Sequence, residues 1–371
     1  KMQFSKKWLQ EFFNKSLDNI NLDQVLTEAG IEVENIQDLS SISKEIVVGE
    51  IVEINKHPDA DRLNICQVDI GSKDYLQIVC GAPNARQGIK VPCAKVGAKL
   101  PEFVIKKAKL RGVESFGMLC SANEIGISDD AEGLYELNQD LELGYPVVDA
   151  LALDDSIFHL SITPNRADCL SIKGIAREIS ALSDLPLIGD DQLTIKSSLE
   201  NTQDIKIEDS IACPRYCGLQ IKNINNNSKL PDFIVQYIER GGINSINPVV
   251  DITNYVLLKL GQPLHAYDNN KIEGQIIVRK ARKDEKLLLL NEQIIKFKGD
   301  ELIIADKSRP LALAGIMGGE TSSIKKNTSN IFLESAYFDP IQIAGRARSF
   351  SLNTESSHRF ERGVDFNNTL F

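Results

Sequence analysis

The sequence has no long hydrophobic run, which limits the classes of protein it can belong to. No apolar stretch approaches the roughly 20 residues of a membrane-spanning helix, and the N-terminal residues show no apolar core of a signal peptide. The 371 residues are 42% hydrophobic and 25% charged, as in ordinary globular proteins. We therefore expect a cytoplasmic protein of two or three domains, without a membrane partner.

Paired cysteines are missing as well. Seven cysteines are scattered without a CxxC pair, so the sequence favours neither a disulfide framework nor a zinc site, and we expect no metal. The closest pair, Cys213 and Cys217, is interpreted as small buried hydrophobic residues. The GxSxG motif of serine hydrolases is absent too. No Cys–His pairing suggests a nucleophile either, so we expect any hydrolytic site in this chain to use a positioned water.

The chain also lacks an excess of positive charge. Its net charge of −10 argues against broad affinity for nucleic acids. The sign reverses locally in FVIKKAKLRG (Phe103 to Gly112), where Lys107, Lys109 and Arg111 alternate with other residues. A β-strand would direct these three cations to one face, where they could follow an RNA backbone. The alternative is an edge strand protected by lysines.

Periodicity predicts helices first and then a β-rich region. One helix capped by Ser5 and another from Asp18 to Gly30 are expected in the first forty residues. Between residues 45 and 118, β-rich runs separated by turn residues predict a small closed barrel such as an OB-fold. Helical periodicity returns after Pro164, with Asn165 or Asp168 as the cap.

The second half reads as a mixed α+β domain. A polar stretch over residues 189–209 is the best linker candidate. A helix is predicted over Asp232–Arg240, and Asn247 followed by Pro248 predicts the start of another. Several β-rich runs follow from residue 275 onward. Helices and antiparallel strands in this order are typical of an α+β domain.

The segment LALAGIMGGE (Leu311 to Glu320) is the most informative one. It is expected to be a buried strand ending at Gly318 and Gly319, where a ligand could approach bare backbone, although most glycine pairs are only turns. Three other segments also place polar residues among apolar ones: DITNYVLLKLGQPLHAYD, NIFLESAYFDP and TESSHRFERGVD. Because a hydrophobic core excludes such residues, the pattern predicts a pocket.

Structural explanations of these polar residues remain open at this point. His265 could be a core histidine with satisfied hydrogen bonds, and Thr253 and Asn254 could face solvent on their helix.

Two further explanations concern charged residues. Glu334 could form a surface ion pair with Arg346 or Arg348. For the charges of SHRFERGVD we prefer a structural ion network, formed by Arg359, Glu361 and Arg362.

Seven segments, in this order, resemble those of one known family. The chain closely resembles the β subunit of bacterial phenylalanyl-tRNA synthetases, from Met2 to its C-terminus and over about the N-terminal half of that subunit. The segments are HPDADRLNICQVDIG, IVCGAPNARQGIKVP, KLRGVESFGMLCSANEIGI, SITPNRADCL, GQPLHAYD, LALAGIMGG and SHRFERGVD.

This resemblance implies an α+β multidomain architecture. Residues 1–39 together with 152–190 would form an N-terminal α+β domain, into which an OB-fold tRNA-binding domain of residues 40–151 is inserted. Residues 191–209 would be a linker, and residues 210–371 a larger α+β editing domain of the B3/B4 type. The family's remaining domains would lie beyond Phe371.

It also implies a function. The editing domain hydrolyses tyrosine wrongly attached to tRNA(Phe), while a separate α subunit aminoacylates tRNA with phenylalanine, ATP and Mg²⁺ in an α2β2 assembly. This chain would thus be part of an aminoacyl-tRNA synthetase, a ligase of protein biosynthesis. On its own it would be at most an aminoacyl-ester hydrolase, with no cofactor of its own.

The resemblance finally assigns roles to residues. Glu334 would recognise the tyrosine hydroxyl, and a positioned water would be oriented by His265, Thr253 and Asn254, with the tRNA's own hydroxyl as a further candidate. His265 could also act as the base. The remaining substrate-binding residues would be Ala314, Gly315, Gly318 and Ser356. Relatives commonly carry Ala at the position of Ser356.

Two other functions compete with this one. The chain could be a non-catalytic RNA-binding and subunit-assembly fragment, or a stand-alone deacylase. Clustering of Thr253, His265 and Glu334 around one concave pocket would favour editing, whereas their dispersal would favour assembly.

Overall fold

The chain divides into two compact units. A computed structural model describes residues 2–127, 131–189, 196–199 and 202–370. Ile36–Ile157 forms the inserted unit, and Lys1–Asn35 with Phe158–Phe371 forms the main unit. None of the described helices has the length and apolar character needed to cross a membrane.

An antiparallel five-stranded sheet forms the inserted unit. Its order is β5-β4-β3-β6-β9, and the two end strands also contact each other, so the sheet nearly closes into a barrel. A bulge between Ile51 and Glu53 lets the long strand β3 bend and pair with both neighbours. The strands are β3 (Ile46–Lys56), β4 (Asn64–Asp69), β5 (Leu76–Cys80), β6 (Lys90–Lys95) and β9 (Gly117–Leu119).

The basic segment forms a short hairpin rather than one long strand. β7 (Ala108–Leu110) pairs with β8 (Val113–Ser115), and a helix, α3 (Val147–Ala150), closes the unit. The turn residues Arg111 and Gly112 both have positive φ, 44° and 91°, as a tight two-residue hairpin turn requires. Arg111 therefore leaves the strand alternation that was expected to align it with the two lysines.

The first part of the main unit packs helices on a three-stranded sheet of order β1-β10-β2. Ser5 caps the first helix as predicted, since its hydroxyl accepts a hydrogen bond from the Trp8 amide. The elements are β1 (Met2–Ser5), α1 (Lys6–Gln10), α2 (Leu22–Glu28), β2 (Glu32–Asp38), β10 (Ser156–Ser161) and α4 (Ile172–Ser183).

One predicted helix start and one predicted helix cap were wrong. The second helix is capped by Asn21, whereas Asp18 lies in a preceding 3-10 turn. Helix α4 is capped by Ser171, whose hydroxyl accepts from the Gly174 amide, and not by Asn165 or Asp168. The Asp168 carboxylate is instead held by the guanidinium of Arg166.

The remainder of the main unit contains two sheets, a hairpin and five helices among the described residues. The sheet orders are β12-β20-β13 and β11-β14-β17-β18-β19, and β15 pairs with β16. The helices are α5 (Asp232–Arg240), α6 (Pro248–Leu260), α7 (Pro340–Ile343), α8 (Arg346–Ser349) and α9 (Glu355–Phe360). The strands are β11 (Ile205–Ile207), β12 (Arg215–Ile221), β13 (Leu264–Asp268), β14 (Ile276–Lys280), β15 (Lys286–Leu288), β16 (Ile294–Lys296), β17 (Leu302–Ala305), β18 (Pro310–Leu313), β19 (Met317–Gly318) and β20 (Ile331–Tyr337).

The predicted linker over residues 191–209 lies partly outside the described residues. Its end is not a linker, because β11 pairs in parallel with β14. The core around α1, α2 and α4 also includes Ile238, Leu257 and Leu258 from α5 and α6. Because one hydrophobic core contains residues of both predicted domains, the packing shows no boundary between an N-terminal domain and an editing domain. That boundary stays a prediction.

LALAGIMGGE is a hairpin and not a single strand that runs into glycines. Strand β18 ends at Leu313 and β19 pairs back to it, with Ala312 opposite Gly318. The chain reverses at Gly315, whose φ of 69° lies in the left-handed region that glycine adopts without a steric cost. The expected close approach at Gly318 therefore occurs on the returning strand.

Candidate functional site

A cavity of about 40 Å³ lies in the main unit, between strands β13 and β20, the β18–β19 hairpin and helix α9. It contains six of the residues predicted for the substrate pocket, drawn from four separate segments of sequence. These are His265, Ala314, Gly315, Gly318, Glu334 and Ser356. The other lining residues are mostly apolar: Pro263, Leu264, Tyr267, Ala312, Leu313, Ile316, Met317 and Phe360.

Glu334 lies at the centre of the sheet β12-β20-β13. Its neighbours across the two ladders are Gly218 on β12 and His265 on β13. The side chain is buried, with 7% exposed. The hydroxyls of Tyr216 and Tyr267 both donate to its Oε2, at 2.7 and 2.8 Å. Oε1 accepts no hydrogen bond from any residue that the structure describes, and Glu334 lines the cavity.

Burial changes the acidity of this group. It raises the pKa of Glu334 to about 7, although the hydrogen bonds from Tyr216 and Tyr267 act in the opposite direction. The pKa values of both tyrosines are raised by their own burial and by the nearby carboxylate. The tyrosines therefore remain donors at neutral pH, and Glu334 titrates near neutrality.

His265 has an unpartnered ring nitrogen beside bare backbone. A Cβ at Gly318 would collide with the Cε1 and Nε2 edge of this ring, so glycine is needed there for space. Nε2 is buried and has no hydrogen-bond partner among the described residues. The ring packs edge-on against Tyr267, with centroids 4.4 Å apart. Burial lowers the pKa of His265 to about 4, so the imidazole is neutral at physiological pH.

The hairpin turn and helix α9 form the opposite wall. The Thr354 hydroxyl, at the N-cap of α9, donates to the Ile316 carbonyl at 2.9 Å and so joins helix to turn. A Cβ at Gly315 would come within 3.0 to 3.3 Å of Phe338, Phe360 and Ile343. Ser356 lines the cavity and makes no side-chain hydrogen bond within the described part of the chain.

Thr253 and Asn254 do not line this cavity. Both lie on α6, where the buried Thr253 hydroxyl donates to the Val250 carbonyl of its own helix at 2.7 Å. Asn254 is half-buried on the same helix. The structure thus brings His265 and Glu334 together but leaves the other two predicted catalytic residues outside the cavity, on helix α6.

The two structural explanations for the charged residues, a surface ion pair of Glu334 and local ion pairing in SHRFERGVD, have different outcomes. A surface ion pair of Glu334 is wrong, because the residue is buried and Arg346 pairs with Asp300 instead. The charges of SHRFERGVD do pair locally, since Arg359 binds Glu355 and Arg362 binds Glu361.

Sequence reasoning missed the two tyrosines that hold Glu334. A signal existed for Tyr267, because it lies two residues after His265 on one strand and so on the same face. Tyr216 is 118 residues away from Glu334 in sequence and carried no local signal. Phe360, which lines the cavity, was included in a recognised motif but was given no role.

The three predicted RNA-binding residues lie in the inserted unit, and each has different contacts. Lys107 pairs with Glu114 at 2.9 Å and lies 4.6 Å from the Phe116 ring centroid. Lys109 is exposed and has no ion pair among the described residues. The guanidinium of Arg111 donates to the Asp59 carbonyl at 3.4 Å.

One group of described residues has the spacing of metal ligands, Asp168, Cys169 and Glu178. The guanidinium of Arg166 already binds all three, at 2.9, 3.0 and 2.8 Å. A fixed positive charge therefore occupies the position that a cation would need, and the group does not fit a metal.

Two family models match the chain. Residues 46–146 match a putative tRNA binding domain, and residues 212–370 match the B3/4 domain. The first covers most of the inserted unit, and the second covers every residue that lines the cavity.

Relatives match almost the whole chain. The phenylalanine–tRNA ligase β subunit of Aromatoleum aromaticum is 51% identical over 365 residues, which cover 98% of this chain and 46% of that protein. The β subunit of Dechloromonas aromatica is 50% identical over 370 residues, with the same coverage. The structure of an N-terminal fragment of the Pyrococcus horikoshii phenylalanyl-tRNA synthetase β subunit matches with a TM-score of only 0.30 and 16% sequence identity. This match covers 49% of this chain and 56% of that fragment. The chain spans about half the length of these relatives, and it belongs to the phenylalanine–tRNA ligase β-subunit family.

Proposed function

We propose that this portion of the β subunit binds tRNA and hydrolyses tyrosine wrongly attached to tRNA(Phe). The observation that carries the proposal is the buried carboxylate of Glu334, which lines a cavity whose other lining residues are mostly apolar. Its Oε2 is held by two protein hydroxyls, and its Oε1 has no partner among the described residues. A cavity lined largely by apolar residues, with a free carboxylate oxygen in its wall, suits an aromatic ring that carries a hydroxyl.

The need for such a site follows from the small difference between phenylalanine and tyrosine. A hydrophobic pocket rejects an added hydroxyl by only about 10²-fold, whereas a site that hydrogen-bonds a hydroxyl discriminates by 10⁴-fold or more, as orders of magnitude. With phenylalanine bound, Oε1 would stay buried and unpaired, at a cost of about 1–3 kcal/mol or more. Glu334 is thus the proposed discriminating residue.

The chemistry would be the hydrolysis of an ester. The water oxygen attacks the ester carbonyl carbon, the bond from that carbon to the ribose oxygen breaks, and a proton from water reaches the ribose oxygen. The products are free tyrosine and tRNA with an intact terminal hydroxyl. Neutral His265, with an unpartnered Nε2 beside Gly318, would orient the water, and the glycine backbone of the hairpin would hold the amino-acid part.

The other predicted residues receive different support. Ala314, Gly315 and Ser356 line the cavity, which supports a binding role. Thr253 and Asn254 lie outside it, so nothing in the geometry supports their catalytic assignment.

Within the complete enzyme, the partners would be the α subunit in an α2β2 assembly and tRNA(Phe). Aminoacylation with phenylalanine, ATP and Mg²⁺ would take place on the α subunit, and the complex would work in the cytoplasm. No residue of this chain is assigned to that reaction.

The first prediction concerns selectivity. Wild-type protein should bind L-tyrosine more tightly than L-phenylalanine, and Glu334→Ala should weaken tyrosine binding by about tenfold to a hundredfold, because a hydrogen bond to a charged group is lost. Isothermal titration calorimetry with both amino acids measures this. The matched control is Glu301→Ala, since Glu301 is also buried but accepts hydrogen bonds from the Lys298 and Gly299 amides outside the cavity. Equal binding of both amino acids by the wild type would contradict the proposal.

The second prediction concerns pH. Because burial raises the pKa of Glu334 to about 7, the carboxylate forms only as the pH rises through this value. An ionised acceptor binds a phenol more strongly than a neutral one, so tyrosine affinity should increase with pH on crossing pH 7. Phenylalanine affinity should not rise over the same range, because an ionised Oε1 left unpaired costs more than a neutral one, and the tyrosine affinity of Glu334→Ala should stay flat. A tyrosine affinity that is equal on both sides of that pKa would argue against the carboxylate as acceptor.

The third prediction separates hydrolysis from binding. His265→Ala should slow the release of tyrosine from Tyr-tRNA(Phe) by about 10²-fold, because loss of positioning alone can cost that much, with a much smaller effect on tyrosine affinity. His265→Asn distinguishes the roles, because asparagine can orient water but cannot titrate. An unchanged rate in His265→Ala would remove the residue from the mechanism. RNA binding by the wild type without any tyrosine release would favour the non-catalytic assembly function.

The fourth prediction concerns RNA contact in the inserted unit. Lys109→Ala should weaken tRNA binding and reduce the slope of log affinity against log salt by about one, because one phosphate contact is lost. Lys107→Ala should have a smaller effect, since Glu114 already neutralises that lysine. Fluorescence anisotropy over a salt series measures both. Lys73→Ala, an equal charge change at an exposed site outside the hairpin, serves as control, and an equal slope in Lys109→Ala and Lys73→Ala would refute the contact.

A further inference from the structure

Gln262 lies at the junction between helix α6 and strand β13. Its side chain is buried, with 2% exposed. The amide nitrogen Nε2 donates to two backbone carbonyls, those of Pro263 at 3.1 Å and Ala336 at 2.9 Å. One side chain thus connects the start of β13 to the end of β20, the two strands that carry His265 and Glu334.

The reason for this arrangement is a missing donor in the ladder. The register of β13 and β20 places Leu264 opposite Ser335 and His265 opposite Glu334. The observed ladder ends at the Leu264–Ser335 pair; one step further along the same register, Pro263 would lie opposite Ala336. Proline has no backbone N–H, so it cannot donate the ladder hydrogen bond to the Ala336 carbonyl. The Gln262 amide supplies that donor instead.

The other end of the same amide shows that the position is not an ordinary core site. Oε1 of Gln262 is buried without a hydrogen-bond partner among the described residues. Turning the amide over would place this oxygen against two carbonyl oxygens, so the two acceptors fix its orientation. A methionine or leucine would fill the space without burying an unpaired acceptor. What the glutamine adds to this position is its pair of N–H donors.

We propose that Gln262 is a positioning residue that completes the β13–β20 ladder where Pro263 interrupts it, and so holds His265 in register with Glu334 in the cavity. This inference rests on the proposed function for its effect on tyrosine. The ladder pair that it completes is two residues from the His265–Glu334 pair, and Pro263 and Leu264 themselves line the cavity. The last pair of a ladder opens most readily, and loss of the donor there would loosen the wall beside Glu334.

The fifth prediction tests this with Gln262→Met, which keeps the length of the side chain but removes both donors. We expect tyrosine binding about tenfold weaker, since about one hydrogen bond's worth of free energy is lost, with little change for phenylalanine. Amide hydrogen exchange at His265, in the ladder pair with Glu334, should be faster by a similar factor. Calorimetry and exchange measured by NMR report the two effects.

A compensating variant separates the hydrogen bond from packing. In Gln262→Met with Pro263→Ala, residue 263 regains its own N–H and can donate to the Ala336 carbonyl directly. The double variant should therefore recover both slow exchange and tyrosine affinity relative to Gln262→Met, with Pro263→Ala alone as the reference. A residue that served only to fill the core would not be rescued in this way.

The outcomes are distinct. Wild-type exchange and tyrosine affinity in Gln262→Met, or a double variant as impaired as the single one, would overturn the inference. Absence of tyrosine preference in the wild type would contradict the proposed function. In that case the exchange rates of the single and double variants still decide whether Gln262 completes the ladder.

Discussion

The candidate site depends on how the two oxygens of one buried carboxylate are used. Leaving a charged group buried without partners is very costly, and the hydroxyls of Tyr216 and Tyr267 offset that cost at Oε2 of Glu334. If both oxygens were bonded in this way, no acceptor would remain for a ligand. If neither were, the carboxylate would not stay in an apolar cavity. The observed division satisfies the fold and leaves an acceptor at the cavity wall.

This division requires a central strand with a neighbour on each side. Tyr216 belongs to β12 and Tyr267 to β13, and both strands pair with β20 on either side of Glu334. A slip of one residue in either ladder would turn the corresponding tyrosine to the opposite face. Gly218, opposite Glu334, fixes the packing further, because a Cβ there would collide with the ring of Phe332. The register is therefore set by side chains that also serve the site.

The sequence predicted local features better than contacts between distant segments. The caps at Ser5 and Asn247 follow from the chemistry of single residues and are confirmed, and the glycine-rich segment does form a wall of the cavity. The hairpin turn at Gly315 was missed because a strand followed by glycines has the same pattern as two short strands. The partners of Glu334 were missed because only the tertiary fold brings Tyr216 to it. Thr253 has a suitable side chain for catalysis, but its position on α6 could not be inferred from residue type.

The pKa shifts of the two ionisable groups in the cavity, His265 and Glu334, have the same physical cause. Burial disfavours charge on either group, so it moves the pKa of His265 down to about 4 and that of Glu334 up to about 7. Near neutral pH the cavity therefore holds an uncharged imidazole and a carboxyl group close to its titration point. An aromatic ring can enter such a site without stripping water from a fixed ion pair. Under the proposed function, selection between ligands would depend on whether the ring brings a hydroxyl to Oε1 of Glu334.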